Sequence, residues 1–218
     1  MNGFPRSARE SREPQNEENT DPLQGSARDR MGLFRAVLVT VFLLSLNCLA
    51  PIKQFYPGTF FQEDRTYQNK PIGFSLSYRG NWDIITDPNE MKHYRKYAKS
   101  LQESGAELLF MGSTVEETQA TRGIVTNLNE TNREYAEQIQ RVNKSKKVKD
   151  YGLCDDTIHN VPMVRWEYSE GEYRFVEFFF SVDTYNLRVA FWTKPLLFKH
   201  FLPVYKEIMA TLTLIDRN

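Results

Sequence analysis

The chain has 218 residues, the length of one domain or two. Lys plus Arg total 28 and Asp plus Glu total 28, so the net charge is zero, which excludes a nucleic-acid binder that relies on bulk positive charge. Hydrophobic residues make up 40%, enough for a core, and two cysteines are too few for a disulfide framework.

The first 30 residues are polar, and they carry five basic and six acidic side chains. Phe4 and Leu23 are their only large apolar residues, too little surface to bury for folding. We therefore expect residues 1–30 to be disordered. The alternative is that translation begins at Met31 and that these residues are not made.

An apolar segment follows, with no charged residue from Ala36 to Ile52. A helix that spans a bilayer needs about 20 apolar residues, whereas this shorter run fits the apolar region of a secretory signal. We assign residues 31–47 to a signal peptide. The alternative is a signal anchor that stays in the membrane as a single span.

Cys48 closes this segment. The sequence Leu44-Ser45-Leu46-Asn47-Cys48 resembles a bacterial lipobox, in which the Cys is lipidated and becomes the first mature residue. Its leucine lies at −4, not at −3, a looser form that is similar to spirochaetal lipoproteins. We predict Cys48 as a lipidation site that ties the protein to a membrane of the cell envelope, on the periplasmic or cell-surface side.

Residues 48–66 are interpreted as a tether and residues 67–216 as the globular domain. Its first strand alternates apolar and small residues from Ile72 to Tyr78, the pattern of a half-buried strand. A turn at residues 79–81 leads to Trp82–Ile85, which we interpret as the return strand of a hairpin.

Two helices and two strands come next. The first helix is predicted from a cap at Asp87 to Gly105, and strands are predicted over residues 107–112 and 121–128. The second helix starts at Thr131, because the spacing from Thr131 to Glu134 is that of a capping box.

The last third predicts a four-strand meander, a helix kinked or restarted at Pro203 and a final strand over residues 211–215. The run Arg174–Phe180 is too apolar for a strand with one wet face, so we expect it at the sheet centre, covered on both sides. The predicted class is α+β, a mostly antiparallel sheet flanked by helices.

This order of elements, with Gly73–Tyr78 followed by Trp82, Val161-Pro162 and the hairpin through Arg174–Phe180, resembles the PsbP-like α/β/α sandwich of many bacterial envelope proteins. The resemblance covers residues 67–216. It implies a fold but no site, because the family has no shared catalytic residues.

One cluster could carry chemistry. Cys154, Asp155, Asp156 and His159 lie within six residues and include donors for zinc or copper. In a strand Cys154 and Asp156 share a face, while His159 falls on the other unless a turn intervenes. No second Cys/His cluster would complete four ligands, so we predict neither a metal site nor a cofactor.

We expect a membrane-anchored exported lipoprotein with a binding or accessory role and no enzymatic activity; its partner is unknown, and nucleic acid is not one. The alternatives are a signal-anchored membrane protein with the same exported domain, and a metal-dependent or thiol enzyme around Cys154 and His159. A deep pocket lined by aromatic residues with convergent polar groups would favour a small ligand, and a solid core would favour protein docking.

Overall fold

The structure is a computed structural model that describes residues 58–87, 90, 94–144 and 147–217. None of the helices in these ranges is long and apolar enough to cross a membrane. The elements in chain order are β1 (Thr59–Phe61), β2 (Thr66–Asn69), β3 (Phe74–Ser77), β4 (Trp82–Ile85), α1 (Arg95–Glu103), β5 (Ala106–Thr114), β6 (Gln119–Thr126), α2 (Asn132–Asn143), β7 (Val148–Ile158), β8 (Val161–Glu170), β9 (Tyr173–Val182), β10 (Tyr185–Thr193), α3 (Pro195–Met209) and β11 (Thr213–Leu214).

The strands form two antiparallel sheets. The large sheet has seven strands in the order β4-β5-β6-β10-β9-β8-β7, and the small sheet has four in the order β1-β2-β3-β11. Strands β7 to β10 follow one another through short turns, which confirms the predicted meander. The predicted α+β class is correct.

The large sheet is covered on both faces. Its first face packs against the small sheet and α3, and this contact forms the main apolar core. Its second face packs against α1 over β5 and against α2 over β8 and β9. Because each face buries apolar side chains, the sheet is the middle layer of the domain.

Strand β9 confirms the expectation of a central, fully covered strand. Phe178 and Phe180 belong to the core shared with the small sheet and α3. Phe179 points to the opposite face, where its ring meets that of Tyr135 of α2 edge-on, with the centroids 5.5 Å apart. The alternation of β9 thus supplies aromatic rings to both layers.

The predicted hairpin between Ile72–Tyr78 and Trp82–Ile85 is wrong. Strand β3 pairs with β2 and β11, whereas β4 pairs with β5 in the other sheet. The chain crosses between sheets at residues 78–81, and the rings of Tyr78 and Trp82 then meet in the core between them. The alternation of apolar residues shows which side chains are buried, but it does not show which strand is the partner. Strands in two facing sheets bury the same alternating side chains as the two strands of a hairpin.

One predicted boundary also differs. Residues 59–61, placed in the tether, form β1 and pair with β2 from Thr59 opposite Gln68 to Phe61 opposite Thr66, so the folded part begins earlier. The first helix is described from Arg95, and most of the residues between it and the predicted cap Asp87, namely 88–89 and 91–93, lie outside the described residues. Helix α3 runs without a break through Pro203, so of the predicted kink or restart at this residue the restart is wrong.

The predicted capping box of α2 is confirmed. The hydroxyl of Thr131 accepts a hydrogen bond from the Glu134 amide at 3.2 Å, and the Glu134 carboxylate accepts one from the Thr131 amide at 3.0 Å. The backbone at Thr131 is extended, as a cap requires. These bonds fix where α2 starts and therefore where it lies on the sheet.

Candidate ligand-binding cavity

A cavity of about 400 Å³ opens between α1 and α2, above the large sheet. Helix α1 rests on β5 and α2 rests on β8 and β9, so β6 and β10 run between the helices and form the floor. The lining comes from both helices and the floor strands: Tyr97, Ser100, Leu101, Ser104, Ala106, Arg122, Thr126, Leu128, Tyr135, Gln138, Ile139, Val142, Asn143, Tyr168, Glu170 and Arg188.

The floor holds a buried charge network centred on Glu177 of β9, which is fully buried. Arg122 Nη2 donates to Glu177 Oε1 at 2.8 Å, and Arg188 Nη1 donates to Oε2 at 3.2 Å. The hydroxyl of Tyr168 donates to Oε1 at 2.9 Å. One carboxylate is therefore held by three donors from three neighbouring strands.

Strand register brings these groups together. Ala190 of β10 pairs with Arg122 of β6 on one side and with Glu177 of β9 on the other. Residues directly opposite in antiparallel strands share a face, so all three point toward the cavity. The small side chain of Ala190 leaves room for the guanidinium of Arg122 to reach across β10.

Electrostatics keep the network charged. Burial would raise the pKa of Glu177, but Arg188 and Arg122 lower it, and the net pKa lies below the ordinary value. Burial would lower the pKa of both arginines, but Glu177 raises it, so both guanidinium groups remain protonated. Two cations and one anion leave a surplus of one positive charge at the floor.

Aromatic rings flank this surplus charge. The guanidinium carbon of Arg122 lies 5.5 Å from the ring centroid of Tyr97 in α1 and 5.7 Å from that of Trp192 in β10. At these distances both rings make cation–π contacts with the guanidinium, and the contacts orient its plane. Tyr135 stands opposite on α2, and burial raises its pKa to about 12, so its hydroxyl stays protonated at neutral pH.

The walls are apolar in part. Leu101 is buried and Ile139 half-buried, whereas Leu128 is 45% and Val142 62% exposed. Within the described ranges, three buried polar atoms of the lining have no hydrogen-bond partner: Nε of Arg122, Nε of Arg188 and Oε1 of Gln138. The cavity thus combines apolar walls with polar groups that the surrounding protein does not satisfy.

Glu170 is the acidic residue of the lining. It ends β8, and β8 is three strands away from β6, where Arg122 lies. At about 4.8 Å per strand, that separation is about 14 Å across the sheet. The two arginines and Glu170 therefore give the cavity a positive end and a negative end.

The residues singled out from the sequence lie elsewhere. Cys154 is exposed on the edge strand β7, and Asp155 is bound to Arg133 at 2.5 Å. Asp156 lies 3.7 Å from Arg165. His159 forms the β7–β8 turn with Asn160, both with positive φ, and is exposed.

Within the described residues these side chains do not come together as a metal site. Both carboxylates are already paired with arginines, and the described ranges contain no group of three or more His, Cys, Asp or Glu side chains able to hold a metal ion. His200 is exposed on α3, and His93 lies outside the described residues. The predicted lipidation site Cys48, the signal segment 31–47 and residues 1–30 lie outside them too.

Reasoning from the sequence missed the network. The sequence pattern places Glu177 only within an apolar strand, and it assigns no role to Arg122 or Arg188. The signal was present, because a lone acid inside Phe175-Val176-Glu177-Phe178 and a lone Arg inside Leu187-Arg188-Val189 are charges in strands that should be buried. Such charges require partners in the fold.

Comparison with known proteins shows the fold. The PsbP protein CyanoP of Synechocystis sp. PCC 6803 superposes with a TM-score of 0.50, at 8% identity, over 68% of this chain and 91% of that chain. No protein-family model matches the chain, and no curated protein matches it. The globular part therefore has a PsbP-like fold, as predicted, and at this identity the likeness extends to the fold alone.

Two further solved structures are more distant. A protein of unknown function from Pseudomonas aeruginosa is 18% identical, over 43% of this chain and 72% of that chain, with a TM-score of 0.37. A protein from Bacteroides thetaiotaomicron is 13% identical, over 71% of this chain and 50% of that chain, with a TM-score of 0.45.

Proposed function

We propose that the protein is a membrane-anchored exported lipoprotein whose PsbP-like domain binds a small molecule in the cavity between α1 and α2. The role is binding or accessory, not catalytic. The observation that carries the proposal is the Arg122–Glu177–Arg188 network at the floor of a concave, partly apolar cavity. Preformed cavities with apolar walls and a few fixed polar groups are typical of small-molecule sites.

The chemistry of the floor favours binding over catalysis. A general acid or base works best with a pKa near the operating pH. The pKa of Glu177 is lowered, and those of Tyr168 and both arginines are raised, so none of these groups exchanges protons readily at neutral pH. Fixed charges of this kind orient a ligand, and they supply no nucleophile.

The anchor is the second part of the proposal, and the sequence supports it. An apolar run over residues 36–52 contains Cys48 in a lipobox-like setting. Cys48→Ala should abolish acyl labelling and release the protein from the membrane fraction. A variant that stays membrane-bound, unprocessed and unchanged in mass would instead establish the signal-anchored alternative.

Binding in the cavity can be tested with the neutral fluorescent probe N-phenyl-1-naphthylamine. Ser100 of α1 lines the cavity, so Ser100→Trp should fill it and abolish the fluorescence enhancement seen with the wild type. Gln102→Trp is the matched control, since Gln102 is exposed on the same helix and does not line the cavity. Equal enhancement in all three proteins, or none in the wild type, would contradict the proposal.

A further inference from the structure

We propose that the ligand of this cavity is an organic monocarboxylate, with its carboxylate on Arg122 and Arg188 and its apolar body between α1 and α2. This inference rests on the proposed binding function and adds the chemical class of the ligand. It is argued from the charge, the free donors, the walls and the far end of the cavity.

The charge of the floor is unbalanced. Arg122 and Arg188 share the single carboxylate of Glu177, and the side chain of Arg188 is only 10% exposed. A buried cation without its own counter-ion is unfavourable, because burial removes the water that would solvate it. A bound anion would supply the missing charge at the place where the surplus lies.

The two guanidinium groups also have hydrogen bonds to give. A guanidinium carries five N–H donors, and the bonds to Glu177 use Nη2 of Arg122 and Nη1 of Arg188. Within the described ranges Nη1 of Arg122 and Nη2 of Arg188 have no protein acceptor and are not fully buried, so they are the donors that a ligand in the cavity can reach, whereas the Nε atoms are too buried for contact. A carboxylate matches this requirement, since it accepts paired N–H groups in the plane of a guanidinium.

The walls select an organic anion over a small inorganic one. Tyr97 and Leu101 of α1 face Tyr135 and Ile139 of α2 across the opening. A volume of about 400 Å³ is within the range of small-molecule sites and far larger than an inorganic anion needs. An apolar or aromatic body attached to the carboxylate would cover these side chains and exclude water from the charged floor.

The far end limits the ligand to one negative charge. Glu170 lies three strands from Arg122, about 14 Å across the sheet, and the register displaces it by a further four residues along β8, because Trp166 is the residue in line with Arg122. Its carboxylate would repel a second acidic group there. A monocarboxylate places its charge at the arginine end and its neutral body toward Glu170. A dicarboxylate long enough to span the cavity would meet like charge.

The test uses 3-phenylpropionate and its neutral counterpart 3-phenylpropanamide, titrated into the globular protein by calorimetry. We expect the wild type to bind the carboxylate at least about tenfold more tightly than the amide. Arg122→Gln removes the surplus charge yet leaves Arg188 paired with Glu177, so it should weaken carboxylate binding by about 10- to 100-fold and leave amide binding unchanged.

A second variant changes affinity in the opposite direction. Glu177→Gln raises the surplus to two positive charges, so 3-phenylpropionate should bind it more tightly and raise its melting temperature more than that of the wild type. Arg174→Gln is the matched control, because Arg174 pairs with Glu167 on the other face of the sheet. Its affinity for the carboxylate should equal that of the wild type.

The outcomes separate this inference from the function on which it rests. If N-phenyl-1-naphthylamine binds but carboxylate and amide bind equally well, the cavity binds small molecules and the monocarboxylate assignment is wrong. Inorganic phosphate, or a dicarboxylate long enough to reach Glu170 such as dodecanedioate, binding as tightly as 3-phenylpropionate would also overturn it. If neither the naphthylamine nor either phenyl compound binds the wild type, the proposed binding function fails.

Discussion

Gly123 of β6 lies directly opposite Phe110 of β5, and the ring of Phe110 covers it. A Cβ atom added at Gly123 would overlap Cε1 and Cζ of that ring, well inside van der Waals contact. Both residues are buried, so the ring has no free space to move into. The absence of a side chain at Gly123 is what allows the aromatic core to close over β6.

Gly123→Ala should therefore lower the free energy of unfolding by about 1–3 kcal/mol, the cost of overpacking a filled core. Urea denaturation followed by tryptophan fluorescence measures the change. Phe110→Leu in the Gly123→Ala background should recover part of the loss, because it removes the overlapping ring atoms. Additive effects of the two substitutions would show that ring contact is not the cause.

Acid should weaken the domain through Glu177. Its pKa is lowered in the folded protein, so the network stabilises the fold above the unfolded value of about 4.3, and this contribution is lost as pH falls through the folded pKa. Glu177→Gln should remove this acid-dependent loss, although it costs about 3–5 kcal/mol at neutral pH by leaving the buried Arg188 and the half-buried Arg122 without their counter-ion.

Urea denaturation between about pH 3 and pH 7 measures the effect. Glu116→Gln, a substitution in an exposed loop, should keep the slope of the wild type. A slope in Glu177→Gln equal to that of the wild type would assign the acid sensitivity to other groups.

Alkali should weaken the domain through its buried tyrosines. Burial raises the pKa of five of them above the ordinary value: Tyr67, Tyr78, Tyr135, Tyr168 and Tyr205. Their stabilising contribution is complete below the unfolded pKa of about 10 and is lost as pH rises toward the folded values, since only the unfolded chain ionises there.

Tyr78→Phe removes one of these phenols, so it should reduce the alkaline loss. The substitution should otherwise be well tolerated, because the hydroxyl of Tyr78 makes only a long contact with Thr121, at 3.5 Å. Denaturation at several pH values above about 9 measures the loss, and absorbance at 295 nm reports phenol ionisation. Tyr94→Phe, at a 40% exposed position, is the control, and it should leave the dependence of stability on pH unchanged. A slope in Tyr78→Phe identical to the wild type would contradict the assignment.

The capping box gives a smaller prediction. Thr131→Ala removes the hydroxyl that accepts from the Glu134 amide, so α2 should lose about 1 kcal/mol of stabilisation. Thr131→Ser keeps the acceptor and should stay near the wild type. Because the cap holds the first turn of α2, amide hydrogen exchange in that turn should be faster in Thr131→Ala and unchanged in Thr131→Ser.

The strands were predictable because the burial of a strand determines the pattern of apolar residues within its own sequence. The alternation at Ile72–Tyr78 and the apolar run at Arg174–Phe180 each specify which side chains are buried, and both are buried in the structure. The capping box at Thr131 depends on residues three apart, so the sequence is enough to find it. The PsbP-like class followed from the order of such elements.

Pairing was less predictable because partners are chosen over long distances. Nothing within residues 72–85 shows that β3 takes β2 and β11 as neighbours while β4 takes β5. The cavity depends on the same kind of information: Arg122 and Glu177 are 55 positions apart and meet only because Ala190 lies between them. A charged residue in a buried strand indicates that it has a partner of opposite charge, but the strand register determines which residue that partner is.

The last strand, β11, has a consequence for biosynthesis. Thr213 and Leu214 pair with Ser75 and Phe74, and the Ser77 amide donates to the Thr211 hydroxyl across 134 positions. During translation all strands of the seven-stranded sheet are synthesised before these residues leave the ribosome. Until then the edge of β3 that pairs with β11 has no partner. A nascent chain held at that stage presents β3, with Phe74, as an unpaired strand edge, which is the kind of surface that promotes aggregation.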